Sequence, residues 1–392
     1  MKLVYLIGSL GGGGAEKVMS ALINHLNDIH QQKLITYSSE KVHDVNAPHR
    51  VMGYKSTNSR IRNFMSKVSI FRDVYREKKM YDVCVSFMEV PNIMNVLTPT
   101  RCKALISVRS LTSENIKSAK GLQYTVLNLM LKWTYPRADK VVAVSREVKA
   151  DLVEKFNVDA NKIEIVHNPL NFDLIEQLKH EALTEDEKRM FDKKTIIHCG
   201  RLTEAKGHWY LLKIFKRVKE AGLDVNLVLL GEGELRSETE NLIDALGLKD
   251  SVFLMGYKKN PYKYLKHSDV FLYTSLWEGF PNAVLDAMAC SNAVVSSDCQ
   301  SGIHEILTTS DVSFDSLGIV EGEYGILTPR FAREMDFSIE IGETEDLVAK
   351  TVVGLLSNQK KLNAYKIGAF NRAQDFHIDK IMNQWNAVIE RQ

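Results

Sequence analysis

"KTIIHCGRLTEAKG" (residues 194–207) decides the fold, because the pattern that opens the chain starts again there. A run of β-branched and apolar residues stops at Gly200, and a polar loop leads into the helical spacing of "HWYLLKIF" at 208–215. A continuous apolar run bounded by glycine fits a strand buried on both faces, since neither side of it meets water. Upstream, such runs are "KLVYLIG" (2–8), "YDVCVSF" (81–87), "KALISV" (103–108) and "KVVAVS" (140–145). Downstream they are "VNLVLLG" (225–231), "SVFLMG" (251–256), "VFLYTS" (270–275) and "AVVSSD" (293–298). Helical patterns lie between them. Each series therefore predicts a mostly parallel sheet with helices on both faces, and the chain reads as α/β with two doubly wound domains.

His167-Asn168-Pro169 breaks a strand in "IEIVHNPLN", and the polar stretch to about residue 193 lacks strand character. The expected domains are 1–170 and 171–375. An amphipathic helix over 376–392 follows, with Ile378, Ile381, Met382, Trp385 and Val388 at helical spacing.

Composition narrows the function. With 392 residues and 45% hydrophobic content the chain can bury large cores, and 51 basic against 49 acidic residues argue against a bulk nucleic-acid binder. Anion binding must then be local. The five cysteines (Cys84, Cys102, Cys199, Cys290, Cys299) are scattered without metal-ligand spacing, which fits reduced thiols in a cytoplasm. The N-terminal apolar run turns Gly-rich too early for a signal sequence, and no stretch reaches the ~18 apolar residues of a membrane span.

Three stretches carry chemistry. In "SLGGGGAEKVMSALINHL" (9–26), four glycines separate a strand end from a helix start, where backbone N–H groups and the helix dipole favour an anion. The spacing matches neither the dinucleotide fingerprint nor a Walker loop, and a tight turn without ligand is the plainer reading. After the strand at 194–200, Arg201 and Lys206 flank a loop that opens a helix at the carboxyl edge of a sheet. A planar guanidinium and a flexible ammonium there suit a diphosphate, although a solvated loop also carries such pairs. In "WEGFPNAVLDAMA" (277–289), Pro281 suits a first helical position and Asn282 can cap. Glu278 is left in the loop, Asp286 just over a turn into the helix, and the amides near Asn282 and Ala283 face outward. Carboxylates grip hydroxyls and helix amides meet phosphates, while an acid near a helix N-terminus also simply complements the dipole.

Together and in this order, "GGAEK" (13–17), "GRLTEAKG" (200–207), "LLGEGELR" (229–236) and "EGFPNAVLDAMA" (278–289) resemble the group 1 retaining glycosyltransferases, the large family 4. The resemblance covers nearly the whole chain. "SSDCQSGIHEIL" (296–307) resembles a segment of members that build bacterial surface polysaccharides or glycans on lipid carriers. The resemblance implies two facing Rossmann-like domains of GT-B type with a cleft between them. The N-terminal domain would hold the acceptor and the C-terminal one the nucleotide-sugar, with the final helix crossing back to the first domain. It implies transfer of a hexose or N-acetylhexosamine from a UDP-linked donor to a lipid-linked or oligosaccharide acceptor, retaining and metal-independent, with no cofactor besides the donor. Arg201 and Lys206 would bind the diphosphate with amides near Gly13, Gly14, Asn282 and Ala283. Asp286 would hold the ribose, Glu278 would lie beside the donor sugar, Tyr257 would border the base, and Arg109 would approach the transferred sugar. Glu278, Arg201 and Lys206 are the expected catalytic residues, the leaving diphosphate itself helping to deprotonate the incoming hydroxyl. Two positions depart from the family: Asp286 is shorter than the usual Glu, and Lys17 stands where many relatives have Arg.

No Asp-x-Asp pair or histidine ligand set points to a metal, and His198 reads as core. In "SRIRNFMSKVSIFRDVYREKK" (59–79), Ile61, Met65, Val68, Phe71 and Val74 form an apolar stripe beside seven basic residues. Such a helix suits an anionic membrane, here the inner face of the cytoplasmic membrane, or an ordinary packed helix with a solvated basic face. Two alternatives use the same plan: a nucleotide-sugar epimerase, which needs the donor alone, and a non-catalytic partner subunit.

Overall fold

The computed structural model describes residues 1–11, 13–53, 60–119, 121–299, 301–309 and 318–392, and side chains in 60–67 and at 118 lie outside the description. The chain forms two units, Met1–Pro169 with Asp379–Gln392, and Leu170–Ile378.

Unit 1 contains β1 (Lys2–Ile7), α1 (Gly14–His25), β2 (Gln31–Thr36), β3 (His49–Val51), α2 (Arg60–Lys78), β4 (Val83–Phe87), α3 (Glu89–Leu97), β5 (Lys103–Val108), α4 (Thr112–Asn115), α5 (Leu122–Thr134), β6 (Lys140–Ala143), α6 (Arg146–Phe156) and β7 (Ile163–Ile165). Its seven strands run parallel in the order β3-β2-β1-β4-β5-β6-β7 among the described residues. This is the order of a dinucleotide-type doubly wound sheet. Leu3 through Ile7 are no more than 1% exposed, which explains why β1 is apolar at every position after Lys2. Buried amides tie α3 to the sheet: Asn95 Nδ2 donates to Cys84 O at 2.8 Å and Asn92 Nδ2 to Ser107 O at 2.9 Å.

Unit 2 contains α7 (Phe172–Lys179), α8 (Glu185–Lys188), β8 (Lys194–Cys199), α9 (His208–Glu220), β9 (Val225–Leu230), α10 (Arg236–Ala245), β10 (Val252–Leu254), α11 (Tyr262–Lys266), β11 (Val270–Tyr273), α12 (Asn282–Ala289), β12 (Ala293–Ser297), α13 (Ile303–Leu307), β13 (Val320–Glu321), β14 (Ile326–Thr328), α14 (Glu343–Ser357) and α15 (Gln359–Ala373). Its order is β10-β9-β8-β11-β12-β14-β13, parallel except for the β13–β14 pair. The last helix, α16 (Ile378–Glu390), buries Trp385 in unit 1, where it stacks on Phe87 at 5.4 Å.

Several elements differ from the sequence reading. β2, β3, β13 and β14 were not expected, because they are polar at one end or only two or three residues long. The stripe expected over 59–79 is split. Val74 is 1% exposed and packs with Ile70, whereas Val68 and Phe71 are exposed; Ile61 and Met65 lie outside the described side chains. Lys78, expected on the solvated basic face, is buried and donates to Asn95 O at 2.6 Å. The buried face of α2 is thus set by Ile70, Val74 and Lys78 at four-residue spacing, not by the apolar residues alone.

Candidate active site

In unit 2 the strand order reverses direction between β8 and β11, and open α/β sheets bind ligands outside the carboxyl ends of strands at such a point. The loops leaving these strands carry Arg201, Lys206 and Glu278. After β8 the chain makes one 3-10 turn over Glu204–Lys206 and swings at Gly207 into α9. Gly207 has φ +59°, and a Cβ there would stand 2.6 Å from the Thr274 carbonyl oxygen, so glycine alone permits this approach. Leu276 N donates to Ala205 O at 2.8 Å and Thr274 Oγ1 to Lys206 O at 3.0 Å, fastening the two loops. The Lys206 ammonium consequently donates to the Tyr273 hydroxyl at 3.1 Å and to Glu278 Oε1 at 2.5 Å.

A rigid floor supports this pair. His198 Nδ1 donates to Leu272 O at 2.9 Å, and the ring lies against Phe271 and Tyr273 and edge-on to His208, 4.9 Å between centroids. Burial pushes the His198 imidazole down to about 4 and that of His208 well below its ordinary value, so neither adds charge beneath Lys206. The backbone of the Arg201 loop is clamped from the other side. Gly200 N donates to Leu230 O at 2.9 Å and Leu202 N to Glu232 O at 3.0 Å, while a Cβ on Gly231 would overlap the Gly200 carbonyl oxygen at 1.8 Å. Arg201 itself is exposed, with no side-chain hydrogen bond or ion pair to another described residue.

The helix after Glu278 begins at Asn282, within the start at 281 or 282 that the sequence suggests. Pro281, rather than the expected Asn282, is the N-cap (φ −80°, ψ 91°), and Asn282 opens α12. The proline ring fixes φ but leaves ψ extended, so helical geometry starts at Asn282. Asn282 and Ala283 therefore occupy the first turn, at the positive end of the helix. Asp286 lies half-buried one turn on, where its Oδ1 accepts from the Tyr262 hydroxyl at 3.2 Å. Gly302 N donates to Gly279 O at 3.0 Å and Phe280 packs on Phe376 at 5.7 Å, fixing the loop that presents Glu278. Tyr257, 74% exposed, follows Gly256, whose carbonyl accepts from Gly231 N at 2.9 Å.

The remaining expected residues belong to unit 1. Its corresponding reversal falls between β1 and β4. Gly13 caps α1 and Gly14 begins it, both exposed. Arg109 follows β5, donates to Val166 O at 3.3 Å and to Asn168 Oδ1, and lies 5.6 Å from the Phe87 ring centre. Burial lowers its pKa, yet a guanidinium remains cationic at neutral pH. The expected set is thus two groups, one per unit, with Lys206 and Glu278 in direct contact.

Residues 180–314 match the family of group 1 glycosyl transferases, and residues 12–174 match glycosyltransferase family 4. An uncharacterised glycosyltransferase of Methanocaldococcus jannaschii is 36% identical over 74% of this chain and 72% of its own. The chain belongs to the group 1, family 4 glycosyltransferases. A second relative of this glycosyltransferase, 28% identical over 97% of both chains, is the Campylobacter jejuni N-acetylgalactosamine-N,N'-diacetylbacillosaminyl-diphospho-undecaprenol 4-alpha-N-acetylgalactosaminyltransferase. Among solved structures, Anabaena HepE in complex with UDP superposes with a TM-score of 0.76 at 16% identity, covering 100% of both chains. That likeness is one of fold, which is the GT-B type.

Around the expected residues of this glycosyltransferase lie others that sequence reading passed over. Tyr273 stood in a strand run and Tyr262 was given no role, yet their hydroxyls contact Lys206 and Asp286. Gly207 and Gly231 stood within quoted motifs without a role. Their signal was available: a glycine beside a strand end marks close backbone approach. Among the described residues no group of three or more metal-ligating side chains occurs, and no helix is long and apolar enough to cross a membrane.

Proposed function

We propose that this glycosyltransferase moves a hexose or N-acetylhexosamine from a UDP-linked donor to a lipid-linked or oligosaccharide acceptor in bacterial glycan assembly, retaining anomeric configuration without a metal. The observation that carries the reading is the Lys206–Glu278–Tyr273 cluster at the reversal point of unit 2, beside the N-terminus of α12. An ammonium held between a phenol and a carboxylate is oriented before the ligand arrives, as charge stabilisation requires. Arg201, exposed on the same loop, supplies the second cation for a diphosphate, with the Asn282 and Ala283 amides as further donors.

On this reading unit 2 is the donor domain. Asp286, oriented by Tyr262, accepts from the ribose hydroxyls; Glu278 accepts from the donor sugar; Tyr257 borders the base. Unit 1 is the acceptor domain, with Gly13 and Gly14 donating amides and Arg109 approaching the transferred sugar. The name of the Campylobacter jejuni relative supports an N-acetylhexosamine donor and a polyprenyl-diphosphate acceptor, and the UDP in HepE supports the uridine base. Location at the inner face of the cytoplasmic membrane follows from such an acceptor.

The test is transfer by the purified chain from a panel of UDP-sugars to undecaprenyl-diphosphate-linked glycans, in EDTA, with the anomeric configuration read by NMR. Retained configuration in EDTA is expected. Conversion of the donor alone would identify an epimerase, silence with every donor a non-catalytic subunit, and loss in EDTA a metal-dependent enzyme.

A further inference from the structure

Helix α5 of unit 1 buries only Leu131 and Thr134, while Leu122, Val126, Leu129, Met130 and Trp133 are exposed by 78, 46, 61, 37 and 52%. These five recur at four- and three-residue spacing and form one continuous helical face. A scattered exposed leucine needs no explanation, but an aligned row of large apolar side chains marks a contact surface. Residues 115–138 contain Lys117, Lys120, Lys132 and Arg137 and no acid. The acids at the margin are engaged: Glu114 with Lys117 at 2.9 Å and Glu89 with Asn115 at 3.1 Å. Arg137 lies 4.3 Å from the Trp133 ring centre and donates to the Trp133 carbonyl, so a cation and an amphipathic aromatic stand at one end of the face.

We infer that α5 is a bilayer-docking element, its apolar face entering the headgroup boundary of an anionic membrane while Lys132 and Arg137 meet lipid phosphates. Thirteen residues are too few to span a bilayer, so the helix lies in the interface. The absence of acid over 24 consecutive positions favours this occupant over a second copy of the chain, which would bring the same positive charge against itself. The inference rests on the reading of a lipid-linked acceptor only for its purpose; the surface itself is independent of that chemistry. It moves the docking site away from α2, where the expected apolar stripe is divided between core and solvent.

The protein carries its own reporter. Trp209 and Trp385 are fully buried and Trp277 is half-buried, leaving Trp133 as the exposed tryptophan. Vesicles of phosphatidylcholine with phosphatidylglycerol should shift its emission to the blue, and brominated lipid should quench it. In flotation, Leu129→Glu and Val126→Glu should each weaken binding by roughly tenfold or more, as loss of a buried apolar side chain predicts, whereas Phe71→Glu on α2 should change it little. UDP release from a UDP-sugar without vesicles serves as the control for folding and for the donor reading, and should be unchanged in all three variants. Vesicle binding unaffected by the α5 substitutions, or abolished by salt alone, overturns the inference, as does a Trp133 blue shift caused by protein self-association without lipid. Lipid binding with no sugar transfer would sustain the docking surface while removing the transferase reading.

Discussion

Replacing Lys206 with methionine keeps the stem and removes the charge, which makes it the sharpest perturbation of the site. Lys206 and Glu278 retain 15% and 24% side-chain exposure, so the pair is shielded but not dry. Glu278 left alone should cost about 1–3 kcal/mol of stability, toward the lower end because water still reaches it. If the ammonium also stabilises charge on a departing diphosphate, turnover should fall by about 10²–10³, the usual effect of deleting one oriented donor. A structural ion pair and a catalytic cation are separated by the double variant Lys206→Met, Glu278→Gln. With no lone charge remaining, stability should return to within about 1 kcal/mol of the parent, the coupling expected of contacting groups. Turnover should stay low, because neither substitution restores a cation. Urea unfolding and UDP release measure the two quantities on the same samples. Recovery of turnover along with stability would refute the catalytic role, and so would a Lys206→Met enzyme within about threefold of the parent kcat.

Three further outcomes follow from the same geometry. Gly207→Ala places a methyl 2.6 Å from Thr274 O at a positive φ, and should destabilise unit 2 by about 1–3 kcal/mol with a matching drop in the thermal midpoint. Tyr262→Phe removes the hydroxyl 3.2 Å from Asp286 and should raise KM for the UDP-sugar severalfold, about 1 kcal/mol, with kcat nearly unchanged in steady-state kinetics. Between pH 6 and 5, His198 (about 4) stays neutral when folded but is protonated when unfolded and the lowered His208 acts in the same sense, whereas buried Asp298, raised to about 6, does the opposite. Unfolding then takes up a net proton, so stability should fall by roughly 1.4 kcal/mol per pH unit on acidification, and Asp298→Asn should steepen the fall in urea midpoints.

How much of this was legible in the chain depends on the range of the interaction. Strands buried on both faces are mostly apolar, so β1, β4, β5, β8, β9 and β11 announce themselves; edge strands such as β3, exposed at all three positions, do not. Arg201, Lys206, Glu278 and Asp286 could be proposed from local context, because each lies beside a strand end or a helix start. Their partners could not. Tyr273 meets Lys206 across 67 positions and Tyr262 meets Asp286 across 24, and both tyrosines are indistinguishable from core residues until the sheet order is known. The α2 reading went astray for a related reason. Lys78 counts as surface in any hydrophobicity pattern, yet its ammonium finds the Asn95 carbonyl inside the domain, and the buried face turns toward it.

The two units share the strand order around their reversal points but equip those points differently, and the difference is chemical. Unit 2 places Lys206 and Glu278 there, on loops fastened by backbone bonds. Unit 1 places glycines after β1 and, after β4, Met88, a non-glycine residue at φ 76° and ψ 161°. Such a conformation costs on the order of 1–3 kcal/mol and persists only where neighbours enforce it. The enforcement is visible: Asn92 N donates to the Met88 carbonyl at 2.9 Å, and Asn92 itself is locked to Ser86 Oγ and Ser107 O. The same central strand order thus yields a Lys206–Glu278 ion pair at the edge of unit 2 and a glycine turn with a constrained Met88 at the edge of unit 1. On the proposed reading the diphosphate lies at the first edge and the acceptor at the second, where Arg109 directs donors to Val166 and Asn168 and keeps its buried Nε unpaired among the described residues.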